Sequence, residues 1–168
     1  MDLLIIRHGV AEDKEEWSAT GQGDELRPLT AKGRKKMRRA AQGLRAIVDD
    51  IDLLATSPLV RAVQTAEIVC EVFGIPVSEQ TETLKPDTSA DVFADWLRKY
   101  AGRSLVAAVG HEPQLGALAS WLAFGRTESR LSLGKGGACL LSFGADVDRD
   151  TATLCWLMKP KQLERLGD

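Results

Sequence analysis

The sequence predicts one α/β domain spanning residues 1–168, a three-layer α/β/α sandwich with a mostly parallel central sheet. The length of 168 residues fits a single domain with a substantial core. Short apolar runs without polar alternation, such as LLII at residues 3–6, are typical of strands covered on both faces. Segments with helical periodicity separate these runs, and that alternation is typical of α/β domains.

Five apolar runs are predicted to form the strands. Three of them lack polar alternation and are therefore expected to be buried on both faces: Leu3–Ile6, Leu53–Ala55 and Leu105–Val109. Two further strands, near Ala138–Phe143 and Thr151–Met158, are expected to close the domain.

Four helices are predicted between these strands. Thr30 can cap the first helix, and Ser57 can cap the second, with Pro58 at its first helical position. The third helix runs from Val92 to Tyr100, and the fourth opens at Pro113. The apolar positions of the first helix recur at helical spacing: Met37, Ala40, Ala41, Leu44 and Val48.

Composition excludes several classes of protein. The net charge of −2 and the isoelectric point near 5.8 argue against a nucleic-acid binder, which needs a basic surface. No apolar stretch approaches the ~20 residues that span a bilayer, and no leader pattern opens the chain, so no membrane contact is expected. Cys70, Cys139 and Cys155 are odd in number and widely spaced, as expected of reduced, buried cysteines in a cytoplasmic protein.

The only two histidines of the chain occupy matching positions. His8 follows the first apolar strand directly, and His111 follows the strand LVAAVG and precedes a helix start. Ligands of open α/β sheets bind outside the carboxyl ends of the strands, so the two imidazoles are expected to meet in one pocket. The alternative is that each histidine is only satisfied by local hydrogen bonds.

Two arginines add a second indication of this pocket. Arg7 adjoins His8, and Arg61 lies in the first turn of the second predicted helix, where a cation opposes the helix dipole. A bound anion would relieve that opposition, because it can accept from both the guanidinium and free backbone N–H groups. The alternative is an exposed arginine paired with a nearby carboxylate. Together these features predict a phosphate pocket.

The segments IIRHG, TSPLVRAVQTAEIV and AVGHEP resemble the three signatures of the histidine phosphatase superfamily, which has the phosphoglycerate-mutase-like fold. The short length, RPLTAKG and WLMKPKQLERL are most similar to the SixA-type phosphohistidine phosphatases. The resemblance implies that His8 is a nucleophile that becomes transiently phosphorylated, and that Arg7, Arg61 and His111 hold the phosphoryl group. Gly9 is expected to leave room for backbone near the phosphate, and Glu112 is counted among the substrate-binding residues.

The sequence departs from the family at the proton donor. Members that cleave phosphate esters carry an acid after the Arg61 helix, typically just after a leucine, whereas Leu84 is followed here by Lys85-Pro86. Glu82 and Asp87 flank the position and are possible acids, or simply solvated carboxylates. Because the leaving group of phosphohistidine is an imidazole that is already protonated near neutral pH, a phosphoramidate tolerates a missing acid better than an ester does.

The preferred hypothesis is therefore a metal-free and cofactor-free phosphatase that acts on phosphohistidine carried by another protein, such as the phosphotransfer domain of a signalling relay. The alternatives are a phosphatase of small phosphoramidates or phosphoesters and a non-catalytic phosphohistidine-binding module. A metal site would need a third ligand beside the two histidines, for which Glu12 or Asp13 is available.

Three charged or glycine-rich segments carry weaker signals. The stretch Val10–Pro28 exceeds the usual length of a connection and is expected to be a lid or disordered, and its excess of acidic residues should repel small polyanions. AKGRKKMRRA places six basic residues on one helix, either a solvated face or a docking surface for an acidic partner. GKGG at residues 134–137 lacks the spacing of a nucleotide-binding loop and predicts a turn.

Overall fold

A computed structural model describes residues 1–76 and 79–167 and contains a six-stranded sheet of order β3-β2-β4-β1-β5-β6. Neighbouring strands from β3 to β1 pair in parallel, whereas β5 and β6 add antiparallel. The mostly parallel sheet is therefore confirmed. The strands are β1 (Asp2–Arg7), β2 (Leu53–Thr56), β3 (Glu79–Gln80), β4 (Leu105–Gly110), β5 (Ala138–Phe143) and β6 (Ala152–Met158).

Helices cover both faces of this sheet, as the three-layer prediction requires. The helices are α1 (Lys14–Ser18), α2 (Ala31–Arg45), α3 (Val60–Phe73), α4 (Ala90–Arg98), α5 (Gln114–Phe124) and α6 (Pro160–Leu166). The apolar faces of α2, α3 and α6 pack in one buried cluster on one side of the sheet. Those of α4 and α5 pack in a second cluster on the other side. The short elements β3, α1 and α6 were not predicted from the sequence, because elements of so few residues are too short to show a clear periodicity.

The two predicted helix caps have different outcomes. Thr30 caps α2 as expected, because its hydroxyl accepts the N–H of Gly33 at 2.8 Å. The prediction that Ser57 caps the next helix, with Pro58 first in it, is wrong: α3 begins at Val60. The Ser57 hydroxyl instead forms its short hydrogen bond with a distant side chain of the candidate site.

The segment from Val10 to Pro28 is ordered rather than irregular, and several of its residues line the candidate site. It contains α1 and a 3-10 turn at Asp24–Leu26, and Ala11 forms an antiparallel bridge with Leu29 just beyond the segment. Asp13 caps α1 by accepting two backbone N–H groups. The indole of Trp17 donates to the carbonyl of Gly23 at 3.0 Å. Local caps and side-chain hydrogen bonds, which length alone does not reveal, thus order this segment.

The structure also tests two expectations from composition. None of the helices within residues 1–76 and 79–167 is long and apolar enough to span a bilayer. Cys70 and Cys139 are buried as expected, whereas Cys155 is exposed: it is the extra residue at a register shift between β5 and the edge strand β6.

Candidate active site

The candidate site is a cavity of about 630 Å³ at the carboxyl ends of β1 and β4. These two strands are hydrogen-bonded neighbours, so the residues that follow them, His8 and His111, share one edge of the sheet. Their ring centroids are 5.2 Å apart, with the planes tilted by 54°. Arg7 and Arg61 line the same cavity. The structure thus brings together the four side chains that sequence reasoning assigned to a phosphate pocket.

A hydrogen bond fixes the tautomer of His8. Its Nδ1 lies 2.7 Å from the carbonyl oxygen of Gly9, and a carbonyl can only accept, so Nδ1 carries the proton. Burial is the largest cause that lowers the pKa of His8, and with the charges of Arg61, Arg7 and Lys135 it brings the value to about 4, against the opposing hydrogen bond to Gly9. The imidazole is therefore neutral at pH 7, and Nε2 keeps its lone pair.

His111 is held by the hydroxyl of Ser57, with Nε2 and Oγ 2.8 Å apart. Burial lowers its pKa to about 3, assisted by the electrostatic effect of His8 and Arg61. Within the described residues, its Nδ1 is buried without a hydrogen-bond partner. A buried polar atom without a partner is costly, which indicates a site prepared for a ligand. Ser57 was missed as a site residue because its position before a helix suggested a cap.

The two arginines are anchored by different partners. Arg7 donates from Nη1 to the carbonyl of Leu133 at 2.7 Å. Arg61 donates from Nη1 to the carbonyl of Asp24 at 2.8 Å and from Nη2 to its carboxylate at 3.1 Å. Burial lowers the pKa of both guanidinium groups, yet arginine stays charged in proteins. In the part of the chain that the structure describes, the Nε atoms of Arg7 and Arg61 are buried without partners.

Asp24 and Arg27 belong to the site although sequence reasoning did not single them out. Both line the cavity, and the Nε of Arg27 donates to the Asp24 carboxylate at 2.8 Å. Partial burial raises the pKa of Asp24, but the hydrogen bonds and charges of Arg27 and Arg61 outweigh this and hold it below its usual value. The carboxylate partner that sequence analysis allowed for Arg61 is therefore Asp24. Arg27 is the first residue of the RPLTAKG segment. That segment supported only a family resemblance in the sequence, although it could have identified Arg27 as a site residue.

The two remaining substrate-binding candidates lie in different places. Glu112 lines the cavity, and its carboxylate accepts the N–H of Leu133 at 2.8 Å. Gly9 lines a neighbouring cleft instead, and its N–H donates to the Thr65 hydroxyl at 3.0 Å. That N–H is thus already engaged, and a side chain at Gly9 would press against α2 rather than face the cavity.

The structure places the two possible acids outside the cavity. Glu82 is exposed and forms an ion pair with Lys85, and Asp87 is exposed in a left-handed conformation with φ of 71°. Pro86 between them does line the cavity, so the segment reaches the site without either carboxylate.

Of the residues that the structure describes, the carboxylates that line the cavity are Glu12, Asp13, Asp24 and Glu112. Three of them are engaged: Asp13 caps α1, Asp24 binds the arginines and Glu112 accepts from Leu133. The same part of the chain holds no group of three histidine, cysteine or carboxylate side chains that could bind a metal ion. The arrangement therefore offers a neutral nucleophilic nitrogen beside two guanidinium groups.

Comparison with protein families shows a match over the first half of the chain. Residues 3–85 match the model of the histidine phosphatase superfamily (branch 1). This span contains Arg7 at the end of β1, His8 directly after it, and α3 with Arg61.

Individual relatives agree with this match. An uncharacterised protein of Picosynechococcus sp. is 37% identical over 147 residues, covering 86% of this chain and 87% of the relative. The phosphohistidine phosphatase SixA of Escherichia coli K12 is 28% identical over 167 residues, covering 98% and 97% of the two chains. A solved structure of the protein histidine phosphatase SixA complexed with tungstate is similar with a TM-score of 0.82, 26% identity and coverage of 97% and 99%.

Proposed function

Because the chain belongs to the histidine phosphatase superfamily and is a phosphatase, we propose that it hydrolyses phosphohistidine on another protein through a phospho-His8 intermediate. The observation that carries this proposal is the hydrogen bond from His8 Nδ1 to the Gly9 carbonyl. It leaves Nε2 unprotonated in a cavity that Arg7 and Arg61 make electropositive. The similarity to SixA over nearly the whole chain supports the same substrate class.

In the first step, His8 Nε2 attacks phosphorus and the phosphorus–nitrogen bond of the substrate breaks. The electron pair goes to the substrate imidazole, which leaves as a neutral ring when its other nitrogen carries a proton. Arg7 and Arg61 stabilise the charge that spreads over the phosphoryl oxygens. In the described part of the chain, the buried Nε atoms of both arginines and the Nδ1 of His111 have no hydrogen-bond partner, and both guanidinium groups keep further N–H groups for these oxygens.

In the second step, water attacks phospho-His8 and releases inorganic phosphate. The bond from phosphorus to Nε2 breaks, its electron pair returns to the ring, and both protons of the water leave with the phosphate as H2PO4⁻. The Gly9 carbonyl keeps Nδ1 protonated throughout, so His8 returns in its starting tautomer. Neither step needs an acid for the leaving group, which agrees with the positions of Glu82 and Asp87 outside the cavity.

The test compares phosphate release from a phosphohistidine peptide and from para-nitrophenyl phosphate, for the wild type and His8→Ala. We expect rapid release from the peptide, release from the ester slower by about 10²-fold or more because a general acid is lacking, and neither in the variant. Comparable rates on both substrates would instead indicate a general phosphomonoesterase, with Glu12 as the first acid to examine. Release from neither substrate would favour a binding module.

A further inference from the structure

A second cleft, of about 130 Å³, opens beside the catalytic cavity. Its lining includes Gly9 and Val10, the residues directly after His8, so the cleft adjoins the nucleophile. Three exposed lysines from separate parts of the fold also line it: Lys36 of α2, Lys135 before β5 and Lys161 of α6. We call these three lysines the basic rim.

The positive charge of the basic rim is not neutralised by the structure around it. Across residues 1–76 and 79–167, none of the three ammonium groups forms an ion pair or a hydrogen bond. Glu164 is the acidic residue among those that line the cleft. The rim therefore carries a net positive charge that faces solvent and can attract an acidic surface.

The other basic residues of α2 lie in a different environment. Arg34, Lys35 and Arg38 line a groove between α2 and α3 together with Glu67 and Glu71. Arg38 forms an ion pair with Glu71 there. The basic helix thus divides into a side that faces acidic residues of its own fold and a side that contributes Lys36 to the rim.

Lys135 connects the basic rim to the reaction centre. It lines both the cleft and the catalytic cavity. Its charge is close enough to His8 to contribute to the lowered pKa of that imidazole. A partner that contacts the rim would therefore lie directly beside the mouth of the catalytic cavity.

The segment around α1 forms another wall of the catalytic cavity and carries mainly negative charge, so we call it the acidic wall. The segment from Glu12 to Arg27 contributes Glu12, Asp13 and Asp24 to the lining, against Lys14 and Arg27. Glu15, Glu16 and Glu25 are exposed in the same segment. A uniformly charged polyanion such as nucleic acid is attracted by the rim and repelled by this wall, whereas a folded protein can present an acidic patch to the rim alone.

We propose that the basic rim docks an acidic patch beside the phosphohistidine of the substrate protein. This inference rests on the proposed function and adds the chemistry of the partner to it. The rim attracts the acidic patch, the acidic wall disfavours the reversed orientation, and the phosphohistidine is thereby directed into the cavity. Because the contact is electrostatic and exposed, it acts mainly on the association rate and weakens with salt.

The test uses two phosphohistidine peptides that differ only in four flanking residues, glutamates in one and glutamines in the other. We expect the wild type to prefer the acidic peptide about tenfold in kcat/KM at low salt, a ratio within the range of electrostatic steering. About 0.5 M salt should remove the preference. The double variant Lys36→Glu/Lys161→Glu should lose it while it still hydrolyses the neutral peptide, since neither lysine lines the catalytic cavity.

The matched control is Lys99→Glu/Arg103→Glu, which makes the same change in net charge at exposed residues after α4, outside the lining of the cleft, and should keep the preference. Equal turnover of both peptides by the wild type, or a preference that survives in Lys36→Glu/Lys161→Glu, would overturn the docking surface alone. A wild type that hydrolyses neither peptide would overturn the proposed function and the docking proposal with it. Stronger inhibition by a polyadenylate oligonucleotide than by the unphosphorylated acidic peptide would assign the rim to nucleic acid instead.

Discussion

The guanidinium of Arg61 holds Asp24 at two points, through the main-chain carbonyl at 2.8 Å and the carboxylate at 3.1 Å. These two residues are 37 positions apart, and Arg61 is one of the two guanidinium groups expected to bind the phosphoryl group. Two of its N–H groups are therefore occupied by Asp24 when no phosphate is bound. Three N–H groups remain, one each on Nε, Nη1 and Nη2, so a phosphoryl group must either bind through these or displace the carboxylate.

Removal of the Asp24 charge should strengthen anion binding. We expect Asp24→Asn to bind inorganic phosphate about tenfold more tightly than the wild type, because a competing negative charge next to Arg61 is lost. Isothermal titration calorimetry measures this, and Glu25→Gln, an exposed neighbour with the same change in charge, is the control. Unchanged or weaker binding would show that Asp24 positions Arg61 for the anion rather than competing with it.

The two imidazoles should remain neutral far below the ordinary histidine range. With pKa values of about 4 for His8 and about 3 for His111, neither C2 proton resonance should titrate between pH 6 and 7 in the folded protein. The chain has two histidines, so its NMR spectrum contains two histidine C2 proton signals. The protein unfolded in urea supplies the ordinary histidine pKa values for comparison. A folded-state midpoint near 6.5 for either ring would contradict the buried, neutral pair.

The same shifts predict how stability depends on pH. Between about 4 and 6.5 the unfolded chain binds protons at His8 and His111 that the folded protein does not bind. The free energy of unfolding therefore rises with pH in this window, and this contribution is lost as the pH falls from 6.5 towards 4. Urea denaturation at pH 5 and pH 7 should show the lower midpoint at pH 5. A variant that replaces both histidines with glutamine should show a smaller difference.

Ser57 should matter for catalysis through His111. Its hydroxyl is the hydrogen-bond partner of His111 Nε2, so Ser57→Ala leaves a buried ring nitrogen unsatisfied at a cost of about 1–3 kcal/mol and frees the ring to rotate. We expect kcat to fall about tenfold or more, with a smaller change in KM. The control is Ser120→Ala, which removes a different buried hydroxyl, that of Ser120 on α5, and should keep the kcat of the wild type. A kcat unchanged in Ser57→Ala would show that His111 needs no such support.

The carboxylates after the Arg61 helix should be dispensable. Because Glu82 and Asp87 do not line the cavity, Glu82→Gln and Asp87→Asn should keep kcat/KM within about twofold on both the peptide and the ester. Asparagine is chosen because it tolerates the left-handed backbone that Asp87 adopts. A loss of ester turnover alone in either variant would identify that residue as the proton donor after all.

The sequence by itself determined five of the six described strands, four of the six described helices and the edge of the sheet at which His8, His111 and Arg7 lie. Apolar runs and helical periodicity are local properties, and the residue that ends a buried strand is visible in the chain. The helix caps predicted at Thr30 and Ser57 show the limit of inference from local sequence. Both serve as cap residues in principle, yet of these two only Thr30 caps a helix, because α3 begins at Val60, three residues after Ser57, and the Ser57 hydroxyl lies against His111.

Only the tertiary structure decided which distant residues complete the site. The pairing of β1 with β4 brings the two histidines to a ring separation of 5.2 Å, and the ordered segment around α1 places Asp24 on Arg61. Lys135 reaches the cavity from the turn before β5, whereas Glu82 and Asp87 lie outside it. These contacts depend on strand order and on how connections fold back over the sheet. Packing across the whole domain sets both, and no local pattern in the sequence records them.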